Sequence, residues 1–309
     1  MSSKQKEFSS LLELMRALPD EQTAIDHFTA IRWRDGEFCP YCGSTSLYHF
    51  SDKRTHKCAD CRQRFSIKVG TIFEDSKLSL RTWMLAVWYV TQHKKIISSV
   101  QLAKDLDITQ KSAWFVMHRL RHAARTRSFN KPMGGEVEID ETFVGGKARN
   151  KRYSQRGKSG VTGGTGKAIV VGALQRKGRV VARVVENVRA ETLERFVDET
   201  VSPSVELVAT DKWVGYKHLG KKYPHVAVDH ADGEYVRGRA HTNGVESFWA
   251  QLKRQIYGTH HWVSRKHLER YVDESTWRHN RRDLPEAPRF DSLLEMSDGR
   301  RLRYAELIA

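Results

Sequence analysis

Acidic residues are scarce in this chain: 37 Asp and Glu stand against 53 Lys and Arg, a formal charge of +16 over 309 residues. That deficit points to a polyanionic partner, with nucleic acid the simplest and a membrane surface the rival. Long apolar runs are missing as well. The longest, "WMLAVWYV" at 83–90, falls far short of the roughly 20 residues a spanning helix needs, so no membrane partner is expected. The opening "MSSKQKEFSSLLELM" has neither the apolar core nor the cleavage pattern of a secretory signal, which places the expected protein in the cytoplasm. Cysteine is absent outside positions 39–61, leaving none for catalysis or a dispersed disulfide framework. The length exceeds what one simple core accommodates, so two or three domains are expected.

The four cysteines that do occur are Cys39, Cys42, Cys58 and Cys61, spaced C-x2-C-x15-C-x2-C. Each short C-x2-C turn offers two thiolates to one ion, and the residues between make a hairpin. This is the pattern of a zinc ribbon holding one structural Zn²⁺. The flanking "SDKRTHK" and "CRQRFSIK" are basic, which leaves two roles open: DNA contact, or a purely structural or protein-binding module.

Two short helices are read over "FSSLLELMRAL" and "DEQTAIDHFTAIRW", and an apolar one over "LRTWMLAVWYVTQH". The next stretch has helix-turn-helix form: a helix at Val100–Leu106, a turn at Asp107–Ile108, and Thr109 as the cap of a second helix. One face of that second helix carries Ala113, Val116, Met117, Leu120 and Ala124. Gln110, Lys111, Arg119, Arg121 and Arg125 fall elsewhere and are the candidate DNA contacts of a recognition helix. A helical hairpin with a solvated basic face is the alternative.

Beyond "SFNKPMGG" the period shortens to that of strands. "EVEIDETFVGG", "KAIVVGALQRKG" and "RVVARVVENV" read as three strands, "ETLERFVDETV" as a helix, and "VELVATDKW" as a strand ending in Asp211. This β-β-β-α-β order is that of a ribonuclease-H-like sheet. The segment 145–167 is rich in glycine, lysine and arginine and has no acidic residue. Its Lys147, Arg149, Lys151 and Arg152 are candidate contacts to target or flanking DNA. The "GGTGK" within it is not a phosphate loop: Val161 stands where the early glycine is needed and Ala168 where Ser or Thr must reach magnesium.

Three carboxylates stand out. Asp140 lies in an alternating strand with Val137 and Ile139 on the opposite face, and Asp211 ends an apolar strand, where a lone carboxylate is costly unless paired or metal-bound. Glu246 lies on the helix "HTNGVESFWAQLKR", beside the apolar stripe Val245, Phe248, Trp249, Leu252 and Ile256. Lys253 falls within about 20° of Glu246 around that helix. Glu246 reads either as a solvated border residue or as a ligand. Two strand aspartates and a helix glutamate are hard oxygen donors suited to two Mg²⁺ or Mn²⁺ ions clamping a phosphoryl transfer.

The stretches "RWRDGEFCPYCGS", "VEIDETFVGGK", "ATDKWVGY" and "HTNGVESFWAQLKR" together resemble the bacterial DDE transposases of insertion-sequence family fifteen-ninety-five, relatives of the eukaryotic Merlin elements. The resemblance spans most of the chain. It implies a multidomain α+β protein: N-terminal helices (1–35), zinc ribbon (36–75), helix-turn-helix region (76–130), ribonuclease-H-like α/β catalytic domain (131–285) and C-terminal tail (286–309). Asp140 and Asp211 match the first two catalytic acids. The third position varies within the family, and this chain offers both Asn243 and Glu246, one helical turn apart; Glu246 is preferred as the better ligand. Lys253 resembles a downstream basic residue that grips phosphate. The implied activity is binding of terminal inverted repeats and metal-dependent cleavage and strand transfer of double-stranded DNA. A homo-oligomer, at least a dimer, is implied on the nucleoid of a bacterium or archaeon. The rivals are a transposase-derived regulator with impaired chemistry and a structure-selective nuclease that never joins.

Overall fold

A computed structural model describes residues 8–93, 95–125, 132–146 and 166–309. In chain order its elements are α1 (Leu11–Ala17), α2 (Glu21–Arg32), β1 (Leu47–His49), β2 (Thr55–Cys58), β3 (Arg64–Ser66), α3 (Leu80–Gln92), α4 (Ser99–Asp105) and α5 (Gln110–Ala124). There follow β4 (Glu136–Val144), β5 (Ala168–Gln175), β6 (Val180–Val185), α6 (Ala190–Thr200), β7 (Leu207–Asp211), β8 (His225–Val228), α7 (Asn243–Gln255), α8 (Arg265–Asn280), α9 (Glu286–Glu295) and α10 (Tyr304–Ile308). They form two compact units, Met1–Ala124 with Asp283–Ala309, and Arg125–Arg282.

In the first unit the helix starts are set by local side-chain caps. Asp20 accepts from the Thr23 backbone N–H (2.8 Å) while the Thr23 hydroxyl accepts from the Asp20 N–H, a capping box for α2. Glu21, at the first position of α2, accepts from the N–H groups of Leu80 and Arg81 (2.8 and 2.9 Å) and so fixes the start of α3. The expected α4-turn-α5 is present: Asp107 takes a left-handed φ of 51°, and the Thr109 hydroxyl accepts from the Ser112 N–H at 3.1 Å. The ribbon is a three-stranded antiparallel sheet, β1-β2-β3.

Residues 286–309, read from the sequence as a tail, are part of this unit's core. Phe290, Leu293, Leu294, Leu302 and Leu307 are buried, and α9 packs on α2 and α3. Phe290 meets Phe8 edge-on (5.2 Å between ring centres), and Asp291 pairs with His27 at 2.9 Å. Their apolar positions follow a 3.6-residue period, but a short amphipathic helix at a chain end does not say which partner it covers.

The second unit is a mixed five-stranded sheet in the order β6-β5-β4-β7-β8, with β6-β5-β4 antiparallel and β4-β7-β8 parallel. The succession β-β-β-α-β follows the sequence reading. One face carries Val137, Ile139 and Val208 against Leu193, Phe196 and Val197 of α6. The other carries Val170, Leu174 and Val180 against Val245, Phe248, Trp249 and Leu252 of α7 and Val272 of α8. The edge strand β6 is covered by α8 side chains: Asn280 makes two hydrogen bonds to the Val180 backbone (2.7 and 2.9 Å), and Glu269 accepts from the Val184 N–H (2.8 Å).

Replacing Phe290 by Ala is expected to lower the stability of the first unit by about 3–5 kcal/mol, the usual cost of emptying a buried phenylalanine site. Chemical denaturation followed by circular dichroism measures it; a loss below about 1 kcal/mol would mean the C-terminal helices are a dispensable tail.

Candidate active site

β4 lies at the centre of the sheet and turns Glu138, Asp140 and Thr142 to the α7 face and Val137, Ile139 and Glu141 to the other, as strand alternation requires. Opposite Asp140 in the register is Gly172 of β5. A Cβ there would stand 2.6 Å from the Trp249 ring, so glycine is what lets the indole lie on the sheet. The indole N–H then donates to Asp140 Oδ2 at 3.0 Å. On the other face the buried Tyr216 hydroxyl donates to Glu141 Oε2 at 2.8 Å. Asp211, at the end of β7 next to β4, brings its carboxylate to the same place. Oxygens of Asp140, Glu141 and Asp211 lie within 4.8 Å of one another.

Three carboxylates so close, and partly out of water, resist ionising together. Burial, then the neighbouring Glu141 and Asp211 charges, pushes Asp140 up to about 8. Burial and Asp211 push Glu141 up to about 7, against the pull of the Tyr216 hydroxyl. Asp211 is also raised, by burial first, and its Oδ1 is buried with no hydrogen-bond partner. An orphaned carboxylate oxygen facing two further carboxylates is a donor set that fits Mg²⁺ or Mn²⁺.

Glu246 is not within this 4.8 Å group. It sits on the first turn of α7, its side chain 45 % exposed, accepting from the Thr242 hydroxyl at 2.7 Å with His230 Nε2 at 3.4 Å. Its charge still reaches the cluster, raising both Asp140 and Asp211. Asn243 is exposed at the first position of the helix. Lys253 lines a cleft farther along α7, at the end of β4.

Two residues were passed over in the sequence. Glu141 is the third member of the cluster. Glu138, 1 % exposed, accepts from the Gly244 and Val245 N–H groups (2.7 and 3.1 Å), so the N-terminus of α7 is capped from β4. Arg176 Nε donates to Glu138 at 3.0 Å. His241 Nδ1 lies 3.2 Å from the same carboxylate without hydrogen-bond alignment. A side chain at Gly244 would come within 2.7 Å of Glu138 Oε2. The available signal was an acidic residue on the apolar-lined face of a central strand, which is costly unless it is satisfied.

In the first unit Cys39, Cys42, Cys58 and Cys61 gather their sulfurs within 4.8 Å, with Cys39–Cys61 and Cys42–Cys58 at 3.6 Å. That is close to the roughly 3.8 Å expected between thiolates on one tetrahedral Zn²⁺ with bonds of about 2.3 Å. Backbone N–H groups of Ser44, Cys61 and Gln63 point at the Cys42, Cys58 and Cys61 sulfurs, as in a metal-binding turn.

The expected DNA-facing helix needs correction. Arg119 and Arg121 are 4 % and 2 % exposed. Arg119 donates to the carbonyls of Leu302 (3.1 Å), Ile72 and Glu74 (both 2.8 Å), joining the C-terminal segment to the chain after the ribbon. The C-terminal segment covers the face that the sequence left to solvent. Gln110, Lys111 and Arg125 are exposed. Lys147, Arg149, Lys151 and Arg152 lie outside the described residues.

Residues 132–280 match the family model of the ISXO2-like transposase domain, and residues 19–64 that of the transposase zinc-ribbon domain. An uncharacterized protein in transposable element ISH50 of Halobacterium salinarum is 31% identical over 271 residues, covering 84% of this chain and 90% of the relative. This chain belongs to the ISXO2-like transposase family, the insertion-sequence family fifteen-ninety-five. The first match includes Glu138, Asp140, Glu141, Asp211 and Glu246, and the second all four cysteines. A crystal structure of a pre-cleavage Mos1 transpososome covers 67% of this chain and 75% of its own at 14% identity, with a TM-score of 0.25; an overlap that loose has no bearing on the site. No described helix is long and apolar enough to cross a membrane.

Raised folded-state pKa values set a pH dependence. The folded site keeps protons that the unfolded chain releases near pH 4, so without divalent cations the cluster's contribution to the stability of the second unit is fullest below that and is lost as pH rises toward 8. Added Mn²⁺ should raise the thermal midpoint more at pH 8 than at pH 5, because protons and cation compete for the same oxygens. An equal shift at both values, read by scanning fluorimetry, would show that the cluster is not the cation's site. Glu138→Ala should cost about 3–5 kcal/mol, the usual loss on removing one member of a buried ion pair. A loss under about 1 kcal/mol on denaturation would mean α7 is not anchored through it.

Proposed function

We propose that the second unit is a ribonuclease-H-like nuclease and strand-transfer domain acting on the ends of an insertion sequence. The observation that carries this reading is the half-buried Asp140–Glu141–Asp211 cluster, lying within the residues matched by the transposase family. Asp140 and Asp211 would hold two Mg²⁺ or Mn²⁺ ions, with Glu246 completing the set from α7. Ions held by these carboxylates would supply Lewis-acid activation of a water and neutralise charge at the phosphorus; hydrolysis would leave a 3′-hydroxyl and a 5′-phosphate, and that hydroxyl would then attack a target phosphodiester and displace a target 3′-hydroxyl. The protein's own share is geometric and electrostatic. Trp249 orients Asp140, Tyr216 orients Glu141, and Thr242 holds Glu246 at the mouth of the site. Asn243, one turn from Glu246, would touch DNA or a ligand, and Lys253 would grip a phosphate beside the scissile bond.

Recognition of the terminal inverted repeats falls to the first unit. The α4-turn-α5 element serves as a helix-turn-helix, with Gln110 and Lys111 at the exposed start of its second helix; Arg125, the first residue of the second unit, follows directly after its end as a further candidate contact. Basic residues 147–152 would serve target or flanking DNA. Cutting and joining two element ends together calls for at least a dimer, working on the nucleoid.

The test is Mg²⁺-dependent cleavage of a labelled element-end duplex. Asp140→Ala and Asp211→Ala should lower the rate about a thousandfold or more while leaving duplex affinity within about twofold. Glu246→Gln should do the same, Asn243→Ala should not, and Glu141→Gln should be intermediate. Binding without cleavage by the wild-type protein would make the chain a transposase-derived regulator; cleavage without strand-transfer products would make it a nuclease.

A further inference from the structure

Beyond the carboxylates, the C-terminal end of β4 and the end of α7 enclose a cleft of about 540 Å³, within the usual size of small-ligand sites. Phe143, Tyr257 and Trp262 line it together with Lys167, Lys253 and His261, and among the described residues no acidic one does. Trp262 is 69 % exposed and Tyr257 41 %. Two large aromatic rings left to water in one cationic cleft are unusual on a protein surface that has no use for them.

The backbone is shaped to present them. α7 does not end in a simple cap. It runs into a π-helical turn, Ile256–His260, a distortion that recurs at functional sites. His261 then takes φ 57° and ψ −42°, a region costly for any residue with a side chain. Tyr257 is fixed: its hydroxyl accepts from the Gly145 N–H and donates to the Gly145 carbonyl, both at 3.1 Å. The ring is therefore preorganised against the end of β4.

Distance relates the cleft to the carboxylates. Lys253 follows Glu246 by seven helical residues, about 10 Å along the axis. Phe143 follows Asp140 by three strand residues, also about 10 Å. At about 3.4 Å per base step, that is a reach of about three nucleotides.

We propose that this cleft captures one unstacked nucleobase of the DNA strand being processed, within about three nucleotides of the scissile phosphate. Trp262 and Tyr257 supply stacking faces, and Lys253 and Lys167 the charge for the neighbouring phosphates. This rests on the transposase reading above and adds to it a place where the duplex must open. An aromatic pair of this kind takes any base, so the capture is set by position and by ease of unstacking rather than by hydrogen-bonded readout.

The test is a cycle between protein and DNA. Affinity for element-end duplexes, measured in Ca²⁺, is compared for wild type, Trp262→Ala and Trp262→Phe. An abasic site is moved one nucleotide at a time across the cleavage position. Trp262 is mostly exposed, so its removal does not open the core. At one position the effects of Trp262→Ala and of base removal should be coupled by about tenfold, in the range of one base–aromatic stack. Trp262→Phe should retain most of that coupling, and Mg²⁺-dependent cleavage by Trp262→Ala should recover on the abasic duplex. Absence of coupling at every position overturns the proposal, including the case where Trp262→Ala changes only the oligomeric state. Cleavage by wild type without coupling removes the cleft alone. Coupling without cleavage leaves the cleft standing and removes the catalytic reading.

Discussion

Glu138 receives the backbone N–H groups of Gly244 and Val245, and through those two bonds the helix carrying Glu246, Trp249 and Lys253 is tied to the strand carrying Asp140. Hydrogen bonds to a charged acceptor are worth about 1.5–3 kcal/mol each, and a carboxylate at a helix N-terminus also meets the positive end of the helix dipole. The anchor sets the axial position of α7 on β4. With it fixed, Trp249 falls beside Gly172 and reaches Asp140, and Tyr257 reaches Gly145. A slip of one turn would move each of these contacts by about 5.4 Å. Gly244 and Gly172 are the two places where the fit admits no side chain.

The anchoring carboxylate and the cluster it positions are handled in opposite ways. Glu138 is satisfied by helix N–H groups and Arg176. Asp140, Glu141 and Asp211 have only partial donors: the Trp249 indole toward Asp140, the Tyr216 phenol toward Glu141, the Glu141 backbone N–H toward both of these, and the Trp213 N–H toward Asp211. All three acids are displaced upward, by burial first and then by neighbouring carboxylate charge. A divalent cation held by these oxygens would offset both effects. The same logic in softer form holds in the ribbon, where four thiols converge on one point.

Much of the site was legible because charge in an apolar strand is conspicuous. Asp211 announced itself by ending an apolar strand, Asp140 by its place in an alternating strand opposite Val137 and Ile139, and the cysteines by their regular spacing. Glu141 is not singled out by the sequence, because alternation turns it away from Asp140's face of the strand; the oxygens of the two meet only where Asp211 stands beside both. Arg119 and Arg121 misled for the opposite reason. A helical wheel assigns basic residues to solvent, and nothing local reveals that residues near 302 will cover that face and offer carbonyls to a buried guanidinium. The C-terminal helices were illegible in the same way.

What the sequence by itself determined are properties written in short range. They are the β-β-β-α-β succession, the caps that start the helices, the metal-binding turns of the ribbon, and the two strand aspartates. The family follows from motifs of the same local kind. What the tertiary structure decided is which carboxylates meet, which arginines are lost to the core, and where Trp262 opens onto a cleft. Those depend on contacts between residues far apart in the chain, as between Asp140 and Trp249 (109 positions), Arg119 and Leu302 (183), or Gly145 and Tyr257 (112). Propensity and periodicity act over a few residues, whereas burial and electrostatic coupling depend on every group that arrives from elsewhere.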